Sequence, residues 1–92
     1  MNYKENQHYV NEHGQQLKKF MIEKFGIESY RNWCALTAFK YEARAGKKEG
    51  NSIEKDLKKR DDYLNELKGS DFNYFDEGFV KRLAKDFENY KG

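Results

Sequence analysis

Apolar side chains along this sequence recur at three- and four-residue intervals and never alternate, so the pattern predicts helices and no strand. Over about residues 15–25, Leu17, Phe20, Met21 and Phe25 share one helical face. Gly26 follows, where a helix C-terminus favours a left-handed residue. A second helix is predicted over about 29–45, ended by Gly46, and a third over about 53–68, ended by Gly69. Ile53, Leu57, Leu64 and Leu67 form the apolar stripe of the third. Asn51 or Ser52 is placed to cap it, and Asn51 with Glu54 matches a capping box. In the last segment Phe79, Val80, Leu83, Phe87 and Tyr90 keep helical spacing across Gly78, which predicts a helix over about 76–90. Phe72 and Phe75 either extend it or cover the core from the preceding loop. The expectation is an all-α fold, a small bundle of about four helices in one domain over 1–92. It comprises a flexible arm at 1–13, a core over 15–68 and a C-terminal helix.

Charged residues interrupt two of these stripes. With about 100° of turn per residue and Trp33 as reference, Arg31 and Glu42 fall on the far side of the second helix and mark it as the solvent face. Lys40 and Arg44 then fall beside Trp33. They are flanked by Tyr30, Thr37 and Tyr41 on one shoulder and by Leu36, Phe39 and Ala43 on the other. Two inward-pointing cations need anions, because burying an unpaired charge is costly. Glu54 or Asp56 of the next helix can supply one, and so can a phosphate or carboxylate on a ligand, for which the planar Arg fork is suited. Arg60 sits in the middle of the third helix's apolar stripe with Asp56 and Tyr63 on one shoulder, so charges border a core face there too. An internal ion-pair network and a ligand site both fit this pattern, and long side chains can also snorkel to water.

Composition narrows the function classes. The 92 residues suffice for one modest core, and although only 37% are hydrophobic, the 16% that are aromatic supply large buried rings. A chain this small without a disulfide framework is expected to gain stability by self-association, as a homo-oligomer. Cys34 is the single cysteine, which excludes an intrachain disulfide. The polar start MNYKENQHYVNEHG has no signal-peptide core, and no apolar run reaches the ~20 residues of a membrane span. A cytoplasmic address without a membrane partner is expected. The net charge of +2 lacks the surplus of a general nucleic-acid binder, yet Lys40 to Arg60 holds eight basic and four acidic residues. GKKEGNS is not a Walker motif, since Tyr41 stands where its first glycine would be and no Ser or Thr follows Lys47. His8, His13 and Cys34 lack zinc-ligand spacing, so no metal centre is expected and Cys34 reads as core. Lys55, Lys58 and Lys59 read as a solvated helix face.

His8-Tyr9, KYEARAGKK at 40–48 and DLKKRDDYL at 56–64 together resemble the SaV-like family of small bacteriophage proteins, over roughly His8 to Leu67. The chain departs from that pattern at Leu36-Thr37, where Gly-Asn is usual. It departs again at Lys55, which splits an acidic pair, and at Arg60, where a small residue is usual. The resemblance implies a phage protein acting in the cytoplasm of the infected host. It also implies a tie to a coliphage kinase of deoxynucleoside monophosphates, and to sensitivity towards a bacterial abortive-infection system. On that reading Lys40, Tyr41 and Arg44, with Lys47 and Lys48 of the loop, hold the phosphate of a nucleotide or other phosphorylated small molecule. The start of the third helix would add N–H donors. His8 and Tyr9 stack on or hydrogen-bond a base, and Asp56 with Glu54 binds Mg²⁺ or forms ion pairs. The alternative is a non-catalytic host-takeover or anti-defence protein that sequesters a nucleotide signal or contacts a host defence protein. The aromatic segment Phe72, Tyr74, Phe75, Phe79, Phe87 and Tyr90 lies outside the motifs and suits an interface, a core or self-association.

Overall fold

The computed structural model describes residues 17–47, 49–50 and 52–92. It is all-α, with four helices among the described residues: α1 (Leu17–Phe25), α2 (Ile27–Arg44), α3 (Ile53–Asn65) and α4 (Glu77–Glu88). The chain divides into two compact units, Met1–Asn32 and Trp33–Gly92, with the division inside α2.

In the first unit Gly26 adopts φ 92°, a left-handed conformation, and its N–H donates to the Ile22 carbonyl at 2.9 Å. That single residue ends α1 and lets α2 begin at once. Lys18 places its ammonium 5.5 Å from the centre of the Tyr30 ring.

The second unit is built from the rest of α2, α3 and α4. Gly46 ends α2 at φ 77°, and a Cβ there would lie 2.8 Å from Ile53 Cγ1, so both conformation and space require glycine. Ser52 caps α3: its Oγ accepts from the Lys55 N–H at 3.0 Å. This corrects the expected Asn51–Glu54 box, because the cap sits one residue later and its third helical position is Lys55. Asn51 lies outside the described residues. α3 closes three residues earlier than the periodicity predicts. The N–H groups of Glu66, Leu67 and Lys68 donate to Tyr63, Leu64 and Asn65, a tighter three-residue turn that satisfies the terminal carbonyls. Asp76 caps α4 by accepting from the Phe79 N–H at 2.9 Å. Phe75, in the turn before it, packs on Phe79 with ring centroids 5.0 Å apart, so the loop covers the helix start.

Small side chains bury the α2 face of this unit. Cys34, Ala35 and Ala38 are buried, and so are Leu64 and Leu67 at and beyond the end of α3 and Val80 and Ala84 of α4. Leu67 and Val80 are fully buried, each contributing about 2 kcal/mol from area removed from water. Asp56 and Arg60 are buried with them. Phe39 of α2 meets Phe87 of α4 edge-on at 6.3 Å, and Lys47 reaches Glu88 at 3.5 Å.

Candidate functional site

The last turns of α2 and the middle of α3 bring aromatic rings and cations together. Tyr41 stacks on Tyr63 with centroids 6.0 Å apart and planes 14° from parallel, and Trp33 meets Tyr63 edge-on at 5.2 Å. Around the Tyr41 ring stand three cations: Arg44 at 4.7 Å from its centre, Lys40 at 4.9 Å and Lys59 at 5.9 Å. Each such contact at an exposed site is worth about 0.5–1 kcal/mol. A ring does not neutralise a cation, and of the three Lys40 is the exposed one. Lys59, read from the sequence as part of a solvated face, belongs to this group. Its signal was the i, i+4 spacing from Lys59 to Tyr63, the ring that Tyr41 covers.

Lys40 corrects the inward orientation expected of it: the side chain is exposed. The buried face of α2 is that of Cys34, Ala35 and Ala38, and Trp33 is 38% exposed. Leu36, one turn before Lys40, is 68% exposed. Trp33, Leu36 and Lys40 thus line one open face at i, i+3 and i+7.

Arg44 is the half-buried member of the group. Its Nη2 donates to Asp56 Oδ1 at 3.3 Å, and the Asp56 side chain is 1% exposed. The internal-anion alternative therefore describes Arg44, and Asp56 is enclosed with a guanidinium against it. Among the described residues, buried Arg44 Nε and Asp56 Oδ2 make no hydrogen bond. Glu54 is exposed in the first turn of α3. Lys47 donates to the Ala43 carbonyl at 3.1 Å and pairs with Glu88, which draws it away from the Tyr41 group. His8, Tyr9 and Lys48 lie outside the described residues.

A second charged cluster is structural. Arg60 is 5% exposed and its Nη1 donates to Glu42 Oε1 at 2.6 Å, while Nε donates to Asp61 Oδ1 at 2.9 Å. Its Nη2 also lies 3.8 Å from Glu77 Oε1 of α4. Burial alone would lower the guanidinium's pKa, but hydrogen bonds to Glu42 and Asp61, with their charges, more than offset it and hold it above the ordinary value. Glu42, expected on the solvent face, is only 15% exposed because it meets Arg60. The network reading of Arg60 is the one the geometry supports.

A family model described as "Protein of unknown function (DUF3310)" matches residues 3–65. The chain is similar to the SaV protein of Lactococcus phage p2, 40% identical over 100 aligned positions that take in 100% of this chain and 78% of the relative. It is similarly close to the SaV protein of Lactococcus phage SK1, 39% identical over 99 positions, with 99% and 77% covered. Both alignments run through the C-terminal aromatic segment, which the short motifs had left outside the likeness. No solved structure matches.

Proposed function

The chain belongs to the SaV-like (DUF3310) family of bacteriophage proteins, and from that premise we propose that it works by binding a host protein in the infected cell rather than by transferring phosphate. One observation carries this reading. Trp33, Leu36 and Lys40 line an open face of α2, and Lys40 belongs to the group of three cations around Tyr41. Two apolar anchors one turn apart, Trp33 and Leu36, beside the exposed ammonium of Lys40 suit a partner surface that is apolar at its centre and acidic at its rim. Opposite charge there would steer the encounter as well as hold it.

Phosphoryl transfer asks for something else. It needs carboxylates that can reach a metal and cations that converge on a phosphate. The expected Mg²⁺ ligand, Asp56, is enclosed against Arg44, and of the loop lysines Lys47 is engaged by Ala43 and Glu88. The cation group itself still supports a second reading, capture of a nucleotide, since a phosphate would be met by Lys40 and Lys59 and a base could lie against the exposed rings.

Photo-leucine at position 36, followed by cross-linking in infected cells, tests the first reading. A host protein cross-linked by the parent chain and lost in a Lys40→Glu/Lys59→Glu variant supports it. Calorimetric titration with nucleoside mono-, di- and triphosphates and cyclic dinucleotides, with and without Mg²⁺, tests the second. Saturable binding abolished by Lys40→Ala/Lys59→Ala, without a charge-dependent cross-link, overturns the first in favour of the second. Lys40 and Lys59 are the informative positions, because Arg44→Ala would strand Asp56 and unsettle the fold.

A further inference from the structure

The open stripe of α2 repeats with the period of a helix interface. With about 100° of turn per residue, Trp33, Leu36, Lys40 and Ala43 fall within about 80° of one another. Their spacing, i, i+3, i+7 and i+10, is that of positions a, d, a and d in two heptads. Trp33 packs edge-on against Tyr63 and still exposes 38% of its surface, and Leu36 exposes 68%. Lys40 is exposed and Ala43 half-buried. Cys34, Ala35 and Ala38 take the opposite side of the helix into the core, which leaves this seam uncovered.

Lys40 decides the chemistry of what can cover the seam. Among the described residues it meets the Tyr41 ring and no carboxylate. A surface that closes over it must bring an anion, because a cation enclosed without one is costly. A second copy paired through the same seam cannot do so. From Trp33 to Ala43 the one acid is Glu42, and it is held by Arg60. Two-fold pairing would therefore set two ammonium groups against apolar side chains. The backbone decides the form of the occupant. α2 satisfies its own N–H and C=O groups along the seam, so an extended segment would find no main-chain partners there and would bury its own groups unpaired. A helix arrives with its backbone satisfied and presents side chains at matching spacing.

We infer that this seam docks one amphipathic helix of a partner protein, with apolar side chains on Trp33, Leu36 and Ala43 and a carboxylate against Lys40. The seam runs about 15 Å from Trp33 to Ala43, so the docked segment is about three turns long. The inference rests on the reading that this face binds a host protein. It adds the partner's secondary structure and the place of its acid.

Two synthetic helices serve as probes. One is three repeats of Glu-Ile-Ala-Ala-Leu-Glu-Lys, whose apolar seam is flanked by acids. The other is three repeats of Lys-Ile-Ala-Ala-Leu-Lys-Glu, whose identical seam is flanked by bases. Trp33 is the only tryptophan of the chain and neither peptide has one, so its emission reports cover of the seam. The acidic helix is expected to shift that emission to the blue saturably, and Leu36→Ala to weaken its binding several-fold. Lys40→Glu should weaken the acidic helix about tenfold and make the basic one the tighter binder. Leu36 and Lys40 are both exposed, so these variants leave the core intact. Equal binding of the two helices by the parent chain, or no shift at millimolar acidic peptide, would overturn the inference. So would a dimer of the free chain, seen by sedimentation and lost in Leu36→Glu, which gives the seam to a second copy. The host-protein reading fails separately. A charge-dependent cross-link from position 36 without peptide binding leaves that reading standing and removes the helix; peptide binding without a cross-link does the reverse.

Discussion

Replacing Arg60 with alanine is expected to be among the costliest single changes in this chain. Arg60 is 5% exposed and its shortest bond, 2.6 Å, goes to Glu42, itself 15% exposed. Asp61 and Glu77 are more than half exposed and rehydrate when the guanidinium goes, so the penalty falls on Glu42. Stranding one member of a buried pair costs about 3–5 kcal/mol, and the residual access of Glu42 to water argues for about 3. In a domain of this length that lowers Tm by about 12–24 °C, at about 4–8 °C per kcal/mol. Urea unfolding followed by both circular dichroism and Trp33 fluorescence reads the loss as a shifted midpoint at constant slope. The double variant Glu42→Gln/Arg60→Met, which removes both charges and keeps a long stem, should lie within about 1 kcal/mol of the parent. If Arg60→Ala costs less than about 1 kcal/mol, or if the double variant falls as far as the single one, Arg60 does not hold Glu42 in the way described.

Three further outcomes follow from local geometry. Ser52→Ala and Asp76→Ala each remove a helix cap and should each cost about 1 kcal/mol in the same unfolding assay. Gly46→Ala should cost more than Gly69→Ala: both sit at φ 77°, but only at Gly46 would the new methyl meet Ile53. Backbone strain sets a floor of about 1 kcal/mol for either. The Glu77 carboxyl is held below its ordinary 4.5 first by the hydrogen bond from Lys81, then by the charges of Lys81 and Arg60. A depressed folded-state value contributes stability that is present above the unfolded pKa and lost as pH falls through the folded one, here below 4.5. Carbon-detected NMR should therefore show Glu77 titrating below 4.5, and moving up towards it in Lys81→Ala.

Helix number and placement were legible in the sequence because glycines punctuate it where backbone conformation demands them. Gly26, Gly46 and Gly69 all sit at positive φ, just after the ends of the apolar periodicities. The rotation of α2 was not legible. Its buried stripe is Cys34, Ala35 and Ala38, side chains too small to stand out against Trp33, Leu36 and Phe39. Glu42 seemed to mark solvent because its partner Arg60 comes from another helix, 18 residues on. Asp56 and Arg60, by contrast, announced themselves as charges beside an apolar stripe, and both are buried and paired. Tyr41, Lys40 and Arg44 lie close together, as their spacing on one helix leads one to expect. Lys59 was not legible there, because it joins them only when α2 and α3 are side by side.

The single sulfhydryl offers a clock for the opening of this fold. Cys34 is in no disulfide and has no exposed surface, midway along the longest helix. A thiol reagent in excess can reach it only in molecules whose α2 has lifted from the core. The rate of modification then counts those excursions, slowing about tenfold for each 1.4 kcal/mol that opening costs. Any ligand that grips α2 would slow the clock by the factor 1 + [L]/Kd, so binding could be timed on the native thiol, without introducing a probe residue.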